Sequence, residues 1–117
     1  KIIMKKIVTG AVFYVDLDLS VGSEQKGFRP CVVLQNNVGN IFSPTTIIAP
    51  ISTKKGNRCL PTQVEVRMFR KLRPNSYVMA EQIRTIDKSR LSGFVCMLSD
   101  EEMAEIDIAV KVALDIR

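Results

Sequence analysis

The chain has 117 residues, 46% of them hydrophobic, a length and composition that predict one domain around a modest single core. Its net charge of +5 is uneven: residues 1–90 carry 15 Lys and Arg against 6 Asp and Glu, whereas residues 91–117 carry 2 against 6. No histidine is present, which excludes general acid or base chemistry by the side chain that titrates near neutrality.

A basic body favours polyanions such as nucleic acid, and the acidic end suits a solvated helix face or a subunit contact. Cys31, Cys59 and Cys96 form neither a C-x-x-C pair nor an even set, so neither a disulfide framework nor a zinc site is expected. Cys31 and Cys96 lie in apolar runs where a thiol acts as a small hydrophobe, and reduced thiols suggest the cytosol. The stretch KIIMKKIV is too short and too charged for a signal peptide, and no apolar run approaches the length of a membrane span. The expectation is a cytoplasmic protein that uses no metal or cofactor.

Taken in chain order, residues 11–17 (AVFYVDL) are aromatic and β-branched and predict a strand that begins after Gly10. Residues 18–28 form a polar loop. Residues 30–35 (PCVVLQ) read as a buried strand with proline at its first position. Residues 36–44, rich in Asn, Gly, Ser and Pro, read as a turn region. Residues 45–52 (TTIIAPIS) are strand-like, with Pro50 marking an edge or a bulge, and residues 53–61 form a basic loop around Gly56. Residues 62–67 alternate polar and apolar side chains, and 77–80 and 83–86 are two further extended pieces. Residues 87–91 suit a single helical turn and 94–98 a last strand. Five or six short strands at this spacing suggest a small barrel, and hence a mainly β (α+β) fold class.

Ser99 opens a final helix over residues 100–116, with Glu102 as its capping-box partner. The helix carries two apolar stripes. Met103, Ile106, Val110, Ala113 and Leu114 share one face; Ile108, Val112 and Ile116 recur on nearly the opposite one. Such a helix is either packed deeply within its own domain or shared between its barrel and a second copy of the chain.

The stretch Gly22–Asn36, GSEQKGFRPCVVLQN, carries the chemistry. It holds Arg29 where a glycine-containing loop meets a buried strand, and a rigid edge can aim a guanidinium. The segment lacks the G-K-[ST] ending of a phosphate cradle, which disfavours nucleotide hydrolysis. Transesterification within RNA needs no external nucleophile, because the ribose 2′-hydroxyl attacks its own phosphate. Such an enzyme has only to position that group and stabilise a charged transition state. Arginine grips phosphate oxygens bidentately, and a nearby hydroxyl adds one more donor.

GSEQ-x-G-x-RP before a hydrophobic strand, then TTIIAPIS and AEQIRTIDKSRL, together resemble the MazF/PemK family of toxin endoribonucleases from Gly10 to the last helix. The resemblance implies an SH3-like barrel with an appended short helix and a C-terminal helix, in a single toxin domain over residues 1–117. It further implies a homodimer and an acidic, MazE-like antitoxin. The implied activity is metal-independent cleavage of single-stranded RNA at a short sequence such as one like UACAU, with 2′,3′-cyclic phosphate and 5′-hydroxyl products. By the match at RP, Arg29 takes the catalytic arginine's position, and by the match at the end of TTIIAPIS, Ser52 takes that of a catalytic Thr or Ser. A slip of one residue would make Thr53 the counterpart. Ala11 departs from the acidic residue usual in relatives.

Ser23, Glu24, Gln25, Thr53, Lys54, Lys55, Gln82 and Arg84 offer amide, carboxylate and cationic contacts to RNA bases and phosphates, although polar residues also occupy loops simply because loops are wet. Phe28 and Phe42 are the candidate stacking aromatics, and core packing is expected for at least one of them. The competing reading is a non-catalytic barrel, either a nucleic-acid binder or a gyrase-poisoning toxin like CcdB. A purely structural adaptor is a third.

Overall fold

The computed structural model describes residues 7–17, 21–53, 60–67 and 72–117. Strand β1 (Ala11–Asp16) lies between β2 (Phe28–Val33) and β7 (Leu91–Met97), antiparallel to both. Beyond β2 comes β3 (Thr45–Thr53), the longest strand. Beyond β3 lie β5 (Ser76–Met79) and then β4 (Gln63–Val66). The seventh strand, β6 (Arg84–Asp87), pairs with β3 off that path. The path has β4 and β7 at its ends, and among the described residues no ladder joins them, so in place of the expected closed barrel stands an open sheet of the same mainly β class.

Strand β3 joins the two parts of the sheet. Its first half, Thr45 to Ile48, pairs with β6, and its last three residues pair with β5. Pro50, which has no N–H to give to a ladder, sits between those two pairings while still facing Cys31 of β2. The strand therefore changes partner where a donor is missing. A 3₁₀ turn at Ala80–Gln82 carries the chain from β5 to β6 across the same gap.

Alternation along the central strands sends side chains to two cores. Val12, Val32, Ala49 and Ile51 lie on one face with Val64, Val66 and Val78; Phe13, Val15, Cys31, Val33, Ile48 and Ile86 lie on the other. Helix α2 (Asp100–Ala113) closes the first core with Ile106 and Ala109, and it packs on β4. Fully burying a side chain such as Ile106 contributes about 1.5–3 kcal/mol. The Ser99–Glu102 capping box is formed as the sequence predicts, with the Glu102 N–H donating to Ser99 Oγ (3.1 Å) and the Ser99 N–H to Glu102 Oε1 (3.0 Å). The deeply packed alternative for α2 is not realised: Ile108, Val112 and Ile116 are each at least half exposed.

Residues 36–44 are not the turn region their composition suggests, since they contain the short helix α1 (Asn37–Phe42). Asn36 caps it by accepting from the Gly39 N–H (2.8 Å), and buried Asn40 ties it to the sheet. Asn40 donates to the Gln35 carbonyl (2.9 Å) and accepts from the Thr46 hydroxyl (2.8 Å). The Gln35 side chain in turn donates to Asn40 and to the Thr45 carbonyl. These asparagines serve a cap and a polar core network, where satisfied partners offset the cost of burial.

Candidate active site

The loop from Val21 to Gly27 is fixed at both ends. The Val21 N–H donates to Glu24 Oε1 (2.7 Å) and the Gln25 N–H to Gln82 Oε1 (2.7 Å), so Gln82 staples the loop to the 3₁₀ turn. Gly27, in the left-handed region at φ 81°, accepts from the Leu17 N–H (2.9 Å) and turns the chain into β2. Beneath this loop lies a recess of about 550 Å³ lined by Leu17, Ser23, Glu24, Gln25, Pro50, Glu81, Gln82, Ile83 and Arg84. Five of the residues expected to read RNA thus converge on one concavity: Ser23, Glu24, Gln25, Gln82 and Arg84. Glu81, which the sequence reading passed over, accepts from Thr62 and Gln63 at its rim.

Arg29 lies inside β2, which starts two residues earlier than the sequence predicts, opposite Val15 of β1. Its Nε donates to the Lys26 carbonyl, which holds the half-buried guanidinium at the junction of loop and sheet. The β2–β3 ladder ends at Cys31 and Pro50. Arg29 stands two residues before Cys31 and Ser52 two residues after Pro50, so each shares its neighbour's side of its strand. Ser52 is half-buried and its Oγ donates to the Thr53 carbonyl (3.3 Å). Thr53, at the exposed end of β3, lines a second cleft with Arg29.

That cleft, of about 280 Å³, is lined by Tyr14, Phe28, Arg29, Pro30, Ile51, Thr53, Leu72, Arg73 and Ser76. Tyr14 and Phe28 stack there with ring centroids 5.1 Å apart and planes within 3° of parallel. Neither Phe28 (62% exposed) nor Phe42 (80%) packs in a core, contrary to expectation, because each projects from the end of an element toward solvent. Lys54 and Lys55 lie outside the described residues, as does Cys59.

Electrostatics around Cys31 locate the positive charge. Burial pushes this thiol up to about 12, against the opposing pull of Arg84, Arg29 and Arg90. Arg84, Arg29 and Arg90 are thus the cations whose charge reaches this buried thiol. Arg90, absent from the sequence-derived set, donates to the Asp16 carbonyl, which anchors it beside β1; its only sequence signal was its place in the AEQIRTIDKSRL stretch. Among the described residues no three Cys, Asp or Glu side chains gather as a metal-ligand group. The site can neutralise phosphate charge with fixed cations, offer hydroxyls to phosphoryl oxygens and present amides to base edges.

Residues 9–114 match the family described as the PemK-like, MazF-like toxin of type II toxin-antitoxin systems. Endoribonuclease EndoA of Bacillus subtilis (strain 168) is 45% identical over 106 residues, covering 90% of this chain and 91% of that protein. Among solved structures, an endoribonuclease in complex with its cognate antitoxin from Mycobacterial species superposes with a TM-score of 0.79. It is 24% identical, covering 94% of this chain and 96% of that one. MazF (Form-I) from Deinococcus radiodurans gives a TM-score of 0.79 at 20% identity, with 92% and 96% covered. At such identities the two structures show a shared fold.

Proposed function

Because the chain belongs to the family of PemK-like, MazF-like toxins of type II toxin-antitoxin systems, and is an endoribonuclease by that kinship, we propose that it cleaves single-stranded mRNA by transesterification without a metal. The ribose 2′-hydroxyl gives its proton to solvent as its oxygen attacks the adjacent phosphorus, the bond to the 5′-oxygen breaks, that oxygen takes a proton from Arg29, which regains one from solvent, and the products are a 2′,3′-cyclic phosphate and a 5′-hydroxyl. Arg29 neutralises the charge that accumulates on the phosphoryl oxygens and protonates the leaving 5′-oxygen. A guanidinium is a standing cation with donors and no acceptor, which favours electrostatic and donor roles over that of a base. Ser52 adds a hydroxyl donor. Ser23, Glu24, Gln25, Gln82 and Arg84 read bases in the recess, while Thr53, Lys54 and Lys55 hold the backbone.

The observation that supports this reading is the anchoring of Arg29, whose Nε donates to the Lys26 carbonyl where the loop that lines the recess enters β2. Incubating the protein with a long transcript in EDTA tests it. Cleavage should persist in the chelator and fall about a hundred- to a thousandfold in Arg29→Ala, the scale on which losing a preorganised oxyanion donor acts. Intact RNA with the parent protein would falsify the ribonuclease reading and return the barrel-binder alternative.

The whole chain 1–117 acts as one toxin domain in the cytoplasm. An acidic antitoxin segment covers the same cationic groove and competes with RNA for it. A second copy of the chain covers the stripe of Ile108, Val112 and Ile116, whose exposure in a single chain leaves a row of large apolar groups in water. Light scattering at micromolar concentration should give a dimer mass. Replacing Ile108 and Val112 together with Lys should shift it to the monomer without unfolding, because both side chains point away from the core.

A further inference from the structure

Tyr14 and Phe28 stack on each other where neither needs the other for burial. In the β1–β2 register Tyr14 faces Pro30 and Phe28 faces Asp16, so the two rings are diagonal neighbours on one side of the sheet. A diagonal aromatic pair in a sheet ordinarily covers apolar surface. Here Phe28 stays 62% exposed, Tyr14 38% exposed, and both border the cleft that contains Arg29, Thr53 and Arg73. With one face of Phe28 closed by Tyr14 and the residue 62% exposed, ring surface stays open at the cleft that Arg29 also lines.

From this we infer that Phe28, backed by Tyr14, is a stacking platform for the base of a nucleotide flanking the cleaved linkage, and that it sets the position of the phosphate against Arg29. The inference rests on the ribonuclease reading above. Single-stranded RNA offers unstacked bases, and an aromatic face accepts any of them. Stacking therefore contributes affinity and placement rather than sequence choice, which falls to the amides of the recess. Arg73, which lines the same cleft, supplies a second cation for the phosphates that flank that nucleotide. The segment GFRP thus couples two functions on adjacent residues, a ring that seats the base and a cation that meets its phosphate.

The chain contains no tryptophan, so Phe28→Trp introduces a single indole at the platform. The probe is a short oligoribonucleotide copied from the strongest cleavage position in a long transcript, with deoxyribose at the attacking sugar to block the reaction. Indole emission should be quenched as this RNA binds, over the concentration range in which anisotropy of labelled RNA reports binding. Phe28→Leu, which keeps apolar bulk and removes the ring face, should weaken binding roughly five- to a hundredfold, the range seen when a base loses its aromatic partner. An abasic site at one flanking position should erase the difference between Phe28→Leu and the parent. RNA that binds and is cleaved while the indole stays unquenched, with Phe28→Leu equal to the parent, overturns the platform and leaves the ribonuclease intact. A parent protein that cleaves no transcript overturns both readings.

Discussion

The recess under the first loop and the cleft that Arg29 lines draw on consecutive residues of β3, Pro50 for one and Ile51 for the other, yet they are held by different forces. Polar atoms of the recess are pinned by hydrogen bonds between distant segments: Gln25 to Gln82, and Thr62 and Gln63 to Glu81. The cleft is walled by aromatic rings, Pro30, Ile51 and Leu72, with Arg29 and Arg73 as its cations. Fixed donors and acceptors discriminate, because a mismatched base leaves a group unpaired. Apolar faces and cations hold what is already chosen. Recognition and cleavage should therefore separate on mutation.

The largest separation is expected at the reacting end. Arg29→Lys keeps a positive charge but loses the planar fork, and should lower kcat about a hundredfold with little change in KM. Ser52→Ala should follow, at about ten- to a hundredfold in kcat. The same loss in Thr53→Ala, with Ser52→Ala unaffected, would move the hydroxyl role one residue along the strand; single-turnover cleavage of one oligonucleotide measures all three.

Gln82→Ala acts on the other region. It removes both an amide and the staple on the Gln25 N–H, and should cost about tenfold in kcat/KM while broadening the set of cleaved sequences, read by mapping cleavage positions on one transcript. A variant that loses kcat equally on every site would break the division between the two regions.

The smallest expected effect concerns the buried centre of the sheet, where Cys31 lies between Phe13 of β1 and Pro50 of β3. The Cys31 thiol is shifted from 9.0 to about 12 by burial. A group held protonated in the folded chain contributes its stability in full below the unfolded value and loses it as pH rises. Denaturation midpoints should accordingly fall between about pH 9 and pH 12, less steeply in Cys31→Ala. Activity near neutrality should be unchanged in slope, because the thiol remains neutral there.

Much of this was legible in the residues. Ser99 and Glu102 announced a capping box, alternation in TQVEVR announced a strand, and GSEQKGFRP placed Arg29 at a loop–sheet boundary. Helix α1 was not legible, because Asn36 and Asn40 look like turn formers until Thr46 and Gln35 arrive from elsewhere in the fold to satisfy them. The opening of the sheet was equally hidden. Pro50 signalled an interruption, but only pairing shows that β3 leaves β6 for β5 there. Arg90 and Tyr14 escaped because each sits in an ordinary-looking strand or turn, and it is the ladders of β1 with β2 and β7 that bring them to Arg29.

The division of β3 among three partners bears on how this chain can change over generations. A substitution within it alters one contact, but losing or gaining a single residue would slip its pairing with β2, β5 and β6 together and exchange the faces shown by Ser52 and Thr53. Its length is therefore under tighter constraint than its composition, and insertions should accumulate in the loops on either side.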